Sequence, residues 1–277
     1  LSRSVLDNDI DRINQESGIK PVQVSKDTLF IVEKSMEYSQ LSGGLFDISV
    51  GPLVSLWNIT GGQGHFPNDE ERKQAMDLVN YEDIEIEGDS VFLQKPGMKL
   101  NLGAIAKGYI ADCIKTTLIN EGVNSAVINL GGNVLLIGEN PEGDGFNIGL
   151  QNPMGETGSY FAVLTEREKS IVSAGSYERN FTYEGKLYHH ILNPITGYPA
   201  DNSLVQVTVI SDESIVGDAL STTAFLMGLE EGIKLIENTP GVEAIFVTDD
   251  KRVYLTSGIK DNFVMADDTF KIGNNLD

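Results

Sequence analysis

The sequence predicts an α+β fold with mixed, largely antiparallel sheets and packed helices. Two observations support this prediction: short segments of alternating apolar and polar residues follow one another with turn residues between them, and several longer segments have helical periodicity. Because hairpins and helices are interspersed without regular strand–helix alternation, α+β is favoured over a parallel α/β sheet. No linker-like stretch divides the 277 residues, so we expect residues 1–277 to form a single domain.

The first half of the chain begins with a predicted helix at 27–41, which Gly43-Gly44 ends. Residues 51–69 are rich in glycine and proline and are expected to form a loop. A short helix is predicted at 71–79. Alternating residues within 84–102 then predict a hairpin whose turn is at Gly88-Asp89.

The second half is predicted to begin with a helix at 104–121. Strand-like segments follow, interrupted at Gly131-Gly132 by a turn, a bulge or a close ligand approach. A further strand leads into one long helical stretch, 212–236, and residues 244–258 predict a closing hairpin.

The charge of the chain restricts its partners. With 41 acidic and 20 basic residues, the formal net charge is −21. Nucleic acid requires a basic surface and is therefore not an expected partner, and simple electrostatic docking to anionic lipid is not expected either. An anionic ligand would need a metal ion or backbone donors to hold it. The single cysteine, Cys113, excludes an internal disulfide and a multi-cysteine zinc site.

Two oxygen-bearing side chains stand four residues apart in DALSTT. Asp218 and Thr222 are at i and i+4, so they share one helical face. One interpretation is a helix start, with Asp218 as N-cap or first-turn acid. The other is a pair of hard ligands for a divalent cation.

Three further segments contain candidate functional residues. In LNLGAIAKGYIAD, small residues allow close approach of a ligand or of a packed helix, and the Walker A pattern is absent. One histidine of the pair His189-His190 should face inward, either as a satisfied core residue or as a proton-transfer group. Asp47 lies in an apolar run and therefore needs a donor partner or a ligand.

The order of these segments resembles that of the ApbE family of FAD:protein FMN transferases. Five blocks match in sequence between about residues 7 and 228: DNDIDRIN, GGLFDISVGPLVSLWN, LNLGAIAKGYIAD with INLGGN, SAGSYERNF with HHILNPITGYP, and VTVIS with DALSTTAFLMG. The resemblance implies an ApbE-like fold with FAD in a central cleft. It also implies that a targeting segment and a first strand lie upstream of Leu1.

The resemblance assigns residues to a magnesium site and a flavin site. Asp218 and Thr222 would ligate Mg²⁺, with Ser221 beside them and the backbone carbonyl of Ala104 as a third ligand. The family carries Thr or Ala at the position of Ala104. The expected FAD contacts are Leu45, Phe46, Asp47, Asn101, Lys107 and Leu192. Ser4 stands where the family often has an aromatic residue that stacks on the dinucleotide.

The resemblance implies Mg²⁺-dependent transfer of FMN from FAD to a threonine of an acceptor protein, with release of AMP. Asp218 and His190 are the candidate bases. Two alternatives remain open at this point: an FAD pyrophosphatase that uses water as acceptor, which the Ser4 departure keeps open, and a non-catalytic flavin-binding protein. The family also implies a location on the extracytoplasmic face of a bacterial membrane, with a lipid anchor.

Overall fold

The computed structural model describes residues 8–61, 64–259 and 261–273. Its helices are α1 (Asp9–Gln15), α2 (Lys26–Leu41), α3 (Gly51–Trp57), α4 (Asp69–Met76), α5 (Ala106–Asn120), α6 (Ser214–Met227) and α7 (Leu229–Glu237). Its strands are β1 (Val22–Gln23), β2 (Ile84–Glu87), β3 (Ser90–Leu93), β4 (Ala126–Asn129), β5 (Asn133–Ile137), β6 (Phe146–Gln151), β7 (Tyr160–Glu166), β8 (Ser170–Gly175), β9 (Asn180–Tyr183), β10 (Lys186–His189), β11 (Leu204–Ser211), β12 (Glu243–Thr248), β13 (Arg252–Leu255), β14 (Phe263–Met265) and β15 (Lys271–Ile272).

The chain divides into two compact units. Unit 1 comprises Leu1–Ala106 and Glu178–Asp201, and unit 2 comprises Lys107–Tyr177 and Asn202–Asp277. The prediction that the whole chain acts as a single catalytic domain stays a prediction. None of the helices in the described ranges has the length and apolar character needed to cross a membrane.

Unit 1 contains a three-stranded antiparallel sheet, in the order β1-β3-β2, and the β9–β10 hairpin. Its core includes Trp57, which is fully buried together with Leu53. These two residues explain why α3 forms where the sequence analysis expected a loop. They are at i and i+4 and bury one face of the helix, and a proline at its first turn starts it. The loop prediction was therefore wrong for Gly51–Trp57.

Unit 2 is built on a seven-stranded sheet in the order β15-β13-β12-β11-β8-β5-β4. Its neighbouring strands are antiparallel except for β13 and β15, so the predicted mixed, largely antiparallel architecture is confirmed. Gly131 and Gly132 form the tight turn between β4 and β5, and both have positive φ angles. The predicted hairpins at 84–102 and 244–258 are present.

The seven-stranded sheet is covered by helices and by a second sheet. Helix α6 packs against β8 and β11. Strand β5 places Leu135 and Ile137 against Ala111 of α5, while Leu136 joins a cluster with Phe161 and Leu164 from the three-stranded sheet β14-β7-β6. This alternation follows from the two-residue period of a strand.

The predicted long helix at 212–236 is two helices. Helix α6 ends and α7 begins at Gly228, whose φ is 81°. This φ lies in the left-handed region, which favours glycine and interrupts helical hydrogen bonding. The prediction of one continuous helix was therefore wrong at this residue.

Candidate functional site

Asp218 lies inside helix α6. The helix begins at Ser214, with Glu213 as the N-cap residue, and its first turn contains no acidic side chain. The helix-start interpretation of Asp218 is therefore wrong. The residue must have another reason to place a carboxylate on a helix whose side chains are mostly buried.

The Asp218 carboxylate is 3% exposed and has two donors in unit 2. The Gly108 amide donates to Oδ2 at 2.9 Å, and the Lys107 ammonium lies 3.4 Å from Oδ1. Burial raises the pKa of Asp218, while Lys107 and the Gly108 amide oppose that shift by stabilising the ionised form. The result is a buried carboxylate that is compensated by cationic and amide partners.

The three hydroxyl residues that follow Asp218 differ in their hydrogen bonding. Ser221 Oγ donates to the Asp218 carbonyl at 3.0 Å, and Thr223 Oγ1 donates to the Ala219 carbonyl at 2.8 Å. Thr222 is half-buried, and its hydroxyl has no hydrogen-bond partner within the described part of the chain. Thr222 therefore has an oxygen available for a ligand on the same helical face as Asp218.

The segment LNLGAIAKGYIAD contains both a turn and a tight helix contact. Residues 103–105 form the turn, and Gly103 N donates to Asn101 Oδ1 at 2.8 Å. Gly108 lies against helix α6, where an added Cβ would be 2.3 Å from the Ser214 carbonyl oxygen. The glycine at 108 is therefore explained by helix packing. Ala104 is half-buried in the turn and belongs to unit 1.

A polar cluster at the start of α6 was missed by the sequence analysis. The two Asp112 carboxylate oxygens accept hydrogen bonds from Ser214 N at 2.8 Å and Ile215 N at 2.9 Å. Ser214 Oγ donates to Asn133 Oδ1 at 2.7 Å and accepts from Ser170 Oγ at 2.9 Å. A sequence signal exists for Asp112 alone: it is four residues after Gly108 and so shares its helical face.

Asp47 has the donor partners that its apolar surroundings demanded. Its Oδ1 accepts from Ser49 N at 2.7 Å and Ser49 Oγ at 2.6 Å, and its Oδ2 accepts from Tyr81 N at 2.9 Å. Burial raises the pKa of Asp47, and these donors oppose the shift. The carboxylate thus holds the loop after α2 in place, and its contact with FAD stays a prediction.

Leu45, Phe46 and Asp47, which are expected flavin contacts, lie beside Asn101, another expected flavin contact. Asn101 N donates to the Ile48 carbonyl at 2.7 Å, so the 45–48 segment lies next to Asn101 in unit 1. The Phe46 side chain is 2% exposed and packs edge-on against Tyr38 at 6.0 Å. A ligand contact at Phe46 would therefore use its backbone, whereas Leu45 is half-buried.

The two neighbouring histidines have different environments. His189 is buried, its Nε2 is 2.9 Å from the Ala200 carbonyl, and its Nδ1 accepts from Ile191 N at 3.3 Å. It is the inward, satisfied histidine of the pair, and burial lowers its pKa. His190 is half-exposed, and its Nδ1 lies 3.3 Å from the Arg179 carbonyl. A proton on Nδ1 would place the lone pair of His190 on Nε2.

Leu192 is buried in an aromatic cluster of unit 1. At its centre, Trp57 stacks on Tyr188 at 5.6 Å and donates from Nε1 to the Gly197 carbonyl at 2.8 Å. The NPITGYP turn is thereby fixed to α3. This cluster was not predicted from the sequence.

The expected FAD contact of Ser4 and the expected magnesium ligands stay predictions. Ser4 lies outside the described residues. Among the described residues, no group of three or more His, Cys, Asp or Glu side chains is arranged to hold a metal ion. A metal at Asp218 would therefore be held by fewer than three such side chains, together with hydroxyl or carbonyl oxygens.

The chain is similar to named proteins over most of its length. The model of the ApbE family matches residues 1–246. The FAD:protein FMN transferase of Klebsiella pneumoniae (strain 342) is 38% identical over 263 residues, which cover 94% of this chain and 81% of that protein. The FAD:protein FMN transferase of Treponema pallidum (strain Nichols) is 33% identical over 286 residues, covering 98% of this chain and 79% of that protein.

Solved structures show the same similarity. The ApbE protein from Thermotoga maritima superposes with a TM-score of 0.83 at 29% identity, over 90% of this chain and 81% of that one. The flavin transferase ApbE from Vibrio cholerae gives a TM-score of 0.79 at 27% identity, over 91% of this chain and 82% of that one. The family match, the identities and the shared fold agree, and the chain belongs to the ApbE family.

Proposed function

We propose that this protein is an FAD:protein FMN transferase whose acceptor is a threonine hydroxyl. In this reaction the bond between the AMP phosphate and the FMN phosphorus breaks, and the acceptor oxygen forms a new bond to that phosphorus. The hydroxyl proton goes to a base, and AMP leaves. Relatives named FAD:protein FMN transferase, up to 38% identical over most of the chain, support the flavin transfer. The observation that carries the site assignment is the buried Asp218 with Thr222 one helical turn later.

We propose that Asp218 and Thr222 hold Mg²⁺. The residues fit the ion: the Asp218 carboxylate is ionisable and compensated, and the Thr222 hydroxyl is available. Mg²⁺ prefers oxygen ligands and commonly uses one or two carboxylates together with waters and substrate phosphates. A site with one carboxylate therefore suits this ion. When bound, the ion supplies charge neutralisation at the pyrophosphate.

Two further oxygens belong to the proposed ligand set, those of Ser221 and Ala104. Ser221 is buried, and its hydroxyl already donates to the Asp218 carbonyl. It is therefore better suited to holding the helix turn than to ligating a metal. The Ala104 carbonyl enters the proposal through the family resemblance.

We propose that FAD contacts the residues around Asp47 and Lys107. In unit 1, the 45–48 segment and Asn101 are adjacent, and Leu192 is anchored by the aromatic cluster. In unit 2, the Lys107 side chain is 43% exposed, so its ammonium can reach a phosphate as well as Asp218. An ammonium is a suitable phosphate partner for a chain whose net charge is −21.

His190 is favoured over Asp218 as the base. Asp218 is buried against Lys107 and Gly108, and a carboxylate that holds a metal has little basicity left for proton removal. His190 is half-exposed, and an imidazole is a suitable general base near neutral pH. The two roles are thus assigned to different residues.

The acceptor reaction is tested by incubating the protein with FAD, Mg²⁺ and a threonine-containing acceptor domain. Intact-mass spectrometry should show one FMN added per target threonine, and a Thr→Ala acceptor should gain nothing. Release of free FMN with every acceptor would instead support the FAD pyrophosphatase. Binding of FAD without turnover would support the non-catalytic flavin-binding protein.

We also propose that the protein works at the extracytoplasmic face of a bacterial membrane with a lipid anchor. The support is family resemblance. Cell fractionation of the native protein with globomycin, an inhibitor of lipoprotein processing, tests this location. A native protein found only in the cytosolic fraction would contradict it.

A further inference from the structure

Helix α6 is capped by a residue distant in sequence. Its own N-cap residue, Glu213, makes no side-chain hydrogen bond to the helix. The Asp112 carboxylate of α5 instead accepts from the amides of Ser214 and Ile215, at 2.8 and 2.9 Å. Helices α1, α2 and α4, by contrast, are each capped by the side chain immediately before them. The first turn of α6 is therefore held by α5.

A second contact joins the same two helices one turn away. Gly108, four residues before Asp112, donates its amide to Asp218 Oδ2 at 2.9 Å. Gly108 packs closely against α6, because a Cβ added at this residue would lie 2.3 Å from the Ser214 carbonyl oxygen. Asp218 is likewise four residues after Ser214. Two consecutive turns of α5 thus contact two consecutive turns of α6, in antiparallel order.

The sheet fixes the same end of α6 from another side. Ser214 Oγ donates to Asn133 Oδ1 at 2.7 Å, and Ser170 Oγ donates to Ser214 Oγ. Asn133 and Ser170 are fully buried. Ser214 therefore has a fixed position, and the Asp112 carboxylate sets the direction in which the helix leaves it.

From this arrangement we infer that Asp112 is a positioning residue for flavin transfer, because it fixes the start of α6 and so the place of Asp218 beside Lys107 and Gly108. The inference rests on the proposed role of Asp218 as a metal ligand. Asp112 acts through α6: its two carboxylate oxygens are both occupied by amides of that helix. A misplacement of about 1 Å at a reacting centre can lower a rate about 100-fold, so a small tilt of the first turn is sufficient.

The test compares Asp112→Asn with the unaltered chain. The asparagine side chain has nearly the same shape, but its NH₂ group cannot accept the second helix amide. We expect Mg²⁺ affinity, measured by calorimetry without FAD, to fall about 10- to 100-fold, the range typical of residues that orient metal ligands. Turnover should fall at low Mg²⁺ and recover as Mg²⁺ is raised.

Asn68→Ala is the matched control. Asn68 also accepts two helix amides, those of Glu70 and Glu71, but caps α4 in unit 1. This variant should lose a similar amount of thermal stability and keep its Mg²⁺ affinity and its Mg²⁺ dependence of turnover. A purely structural role for Asp112 predicts that Asp112→Asn, like Asn68→Ala, loses thermal stability but keeps its Mg²⁺ affinity, and that result would overturn the inference.

Asp112→Glu keeps the test decisive if Asp112→Asn does not fold. The longer side chain retains the charge and the acceptors but displaces them by one methylene group. We expect a folded protein with weakened Mg²⁺ affinity, and unchanged affinity would contradict the inference. Asp218→Asn separates this outcome from failure of the proposed function: if that variant keeps its Mg²⁺ affinity, the metal assignment itself is wrong.

Discussion

The Lys107 ammonium lies 3.4 Å from Oδ1 of the Asp218 carboxylate in unit 2. The amide of the next residue, Gly108, donates to the other carboxylate oxygen, Oδ2. The pair joins the start of α5 to the middle of α6. Asp218 is buried, whereas the Lys107 side chain is 43% exposed. One partner is thus fixed in the protein interior and the other can exchange partners with a ligand.

Asp218→Asn should abolish most Mg²⁺ binding. The change removes the only carboxylate of the proposed ligand set while keeping the side-chain shape, so we expect more than about a 100-fold loss of Mg²⁺ affinity and of turnover. Calorimetry and flavin transfer measure the two effects. Asp212→Asn is the control, because Asp212 is an exposed acid that pairs with Lys169. Asp218→Asn with normal turnover would show that the metal is held elsewhere.

Lys107→Met should weaken FAD binding more than it changes stability. A hydrogen bond to a charged group contributes about 1.5–3 kcal/mol, which corresponds to roughly a 10- to 100-fold rise in the dissociation constant of FAD. Flavin fluorescence titration measures the constant. Lys234→Met, which removes an exposed lysine paired with Glu231, should leave it unchanged. Equal constants for the two variants would exclude a phosphate contact at Lys107.

Gly108→Ala should destabilise the protein although alanine favours helices. The intrinsic gain is about 1 kcal/mol. The added Cβ would lie 2.3 Å from the Ser214 carbonyl oxygen and 2.6 Å from Ile215 Cα, both backbone atoms that cannot rotate away. We expect a net loss of about 1–3 kcal/mol in the free energy of unfolding, measured with urea.

Gly149→Ala is the control for this change. Its new Cβ would have a nearest neighbour at 3.4 Å, an atom of the Tyr160 side chain, which is close to an ordinary contact distance. The free energy of unfolding should change by less than about 1 kcal/mol. A stabilised Gly108→Ala variant would mean that α5 and α6 can separate at little cost.

His189 should make the protein sensitive to acid. Burial lowers its pKa below the ordinary value of 6.5, so below that pH the unfolded chain binds a proton that the folded chain does not. The part of the folding stability that depends on a neutral His189 is therefore fully present above pH 6.5. It is lost as the pH falls towards the lowered pKa of His189 in the folded state. His189→Gln should remove this part of the loss, as measured by the thermal midpoint across the interval.

His65→Gln is the control for the histidine effect. The His65 side chain is 50% exposed and lies 3.5 Å from Glu71. This variant should retain the acid sensitivity of the unaltered protein. If His189→Gln and the unaltered protein lost stability in parallel below pH 6.5, another group would be responsible.

Local patterns were sufficient for much of the fold. Helical periodicity and a glycine stop predicted α2, and alternation around Gly88-Asp89 predicted the β2–β3 hairpin. Both depend on interactions between residues near in sequence, which a periodic pattern expresses directly. The same holds for Asp218 and Thr222, whose spacing alone places them on one helical face.

Other features required contacts between distant residues. Helix α3 forms because Leu53 and Trp57 are buried in a core that includes Leu192, and periodicity within a glycine-rich segment did not reveal it. Asp112 stands 102 positions before the helix that it caps, and its sequence neighbourhood is that of an ordinary helix. Asp47 was predicted to need a partner, but only the folded chain identified Ser49 and Tyr81 as its donors.

The sequence by itself thus determined the α+β class, the family resemblance and the pairing of Asp218 with Thr222, because each depends on order and spacing along the chain. The tertiary structure decided that Asp218 is buried against Lys107 and Gly108, that His189 is the inward histidine, and that Asp112 holds α6. Burial and hydrogen bonding between remote residues depend on how elements pack, and that packing is decided by the whole core rather than by a local pattern.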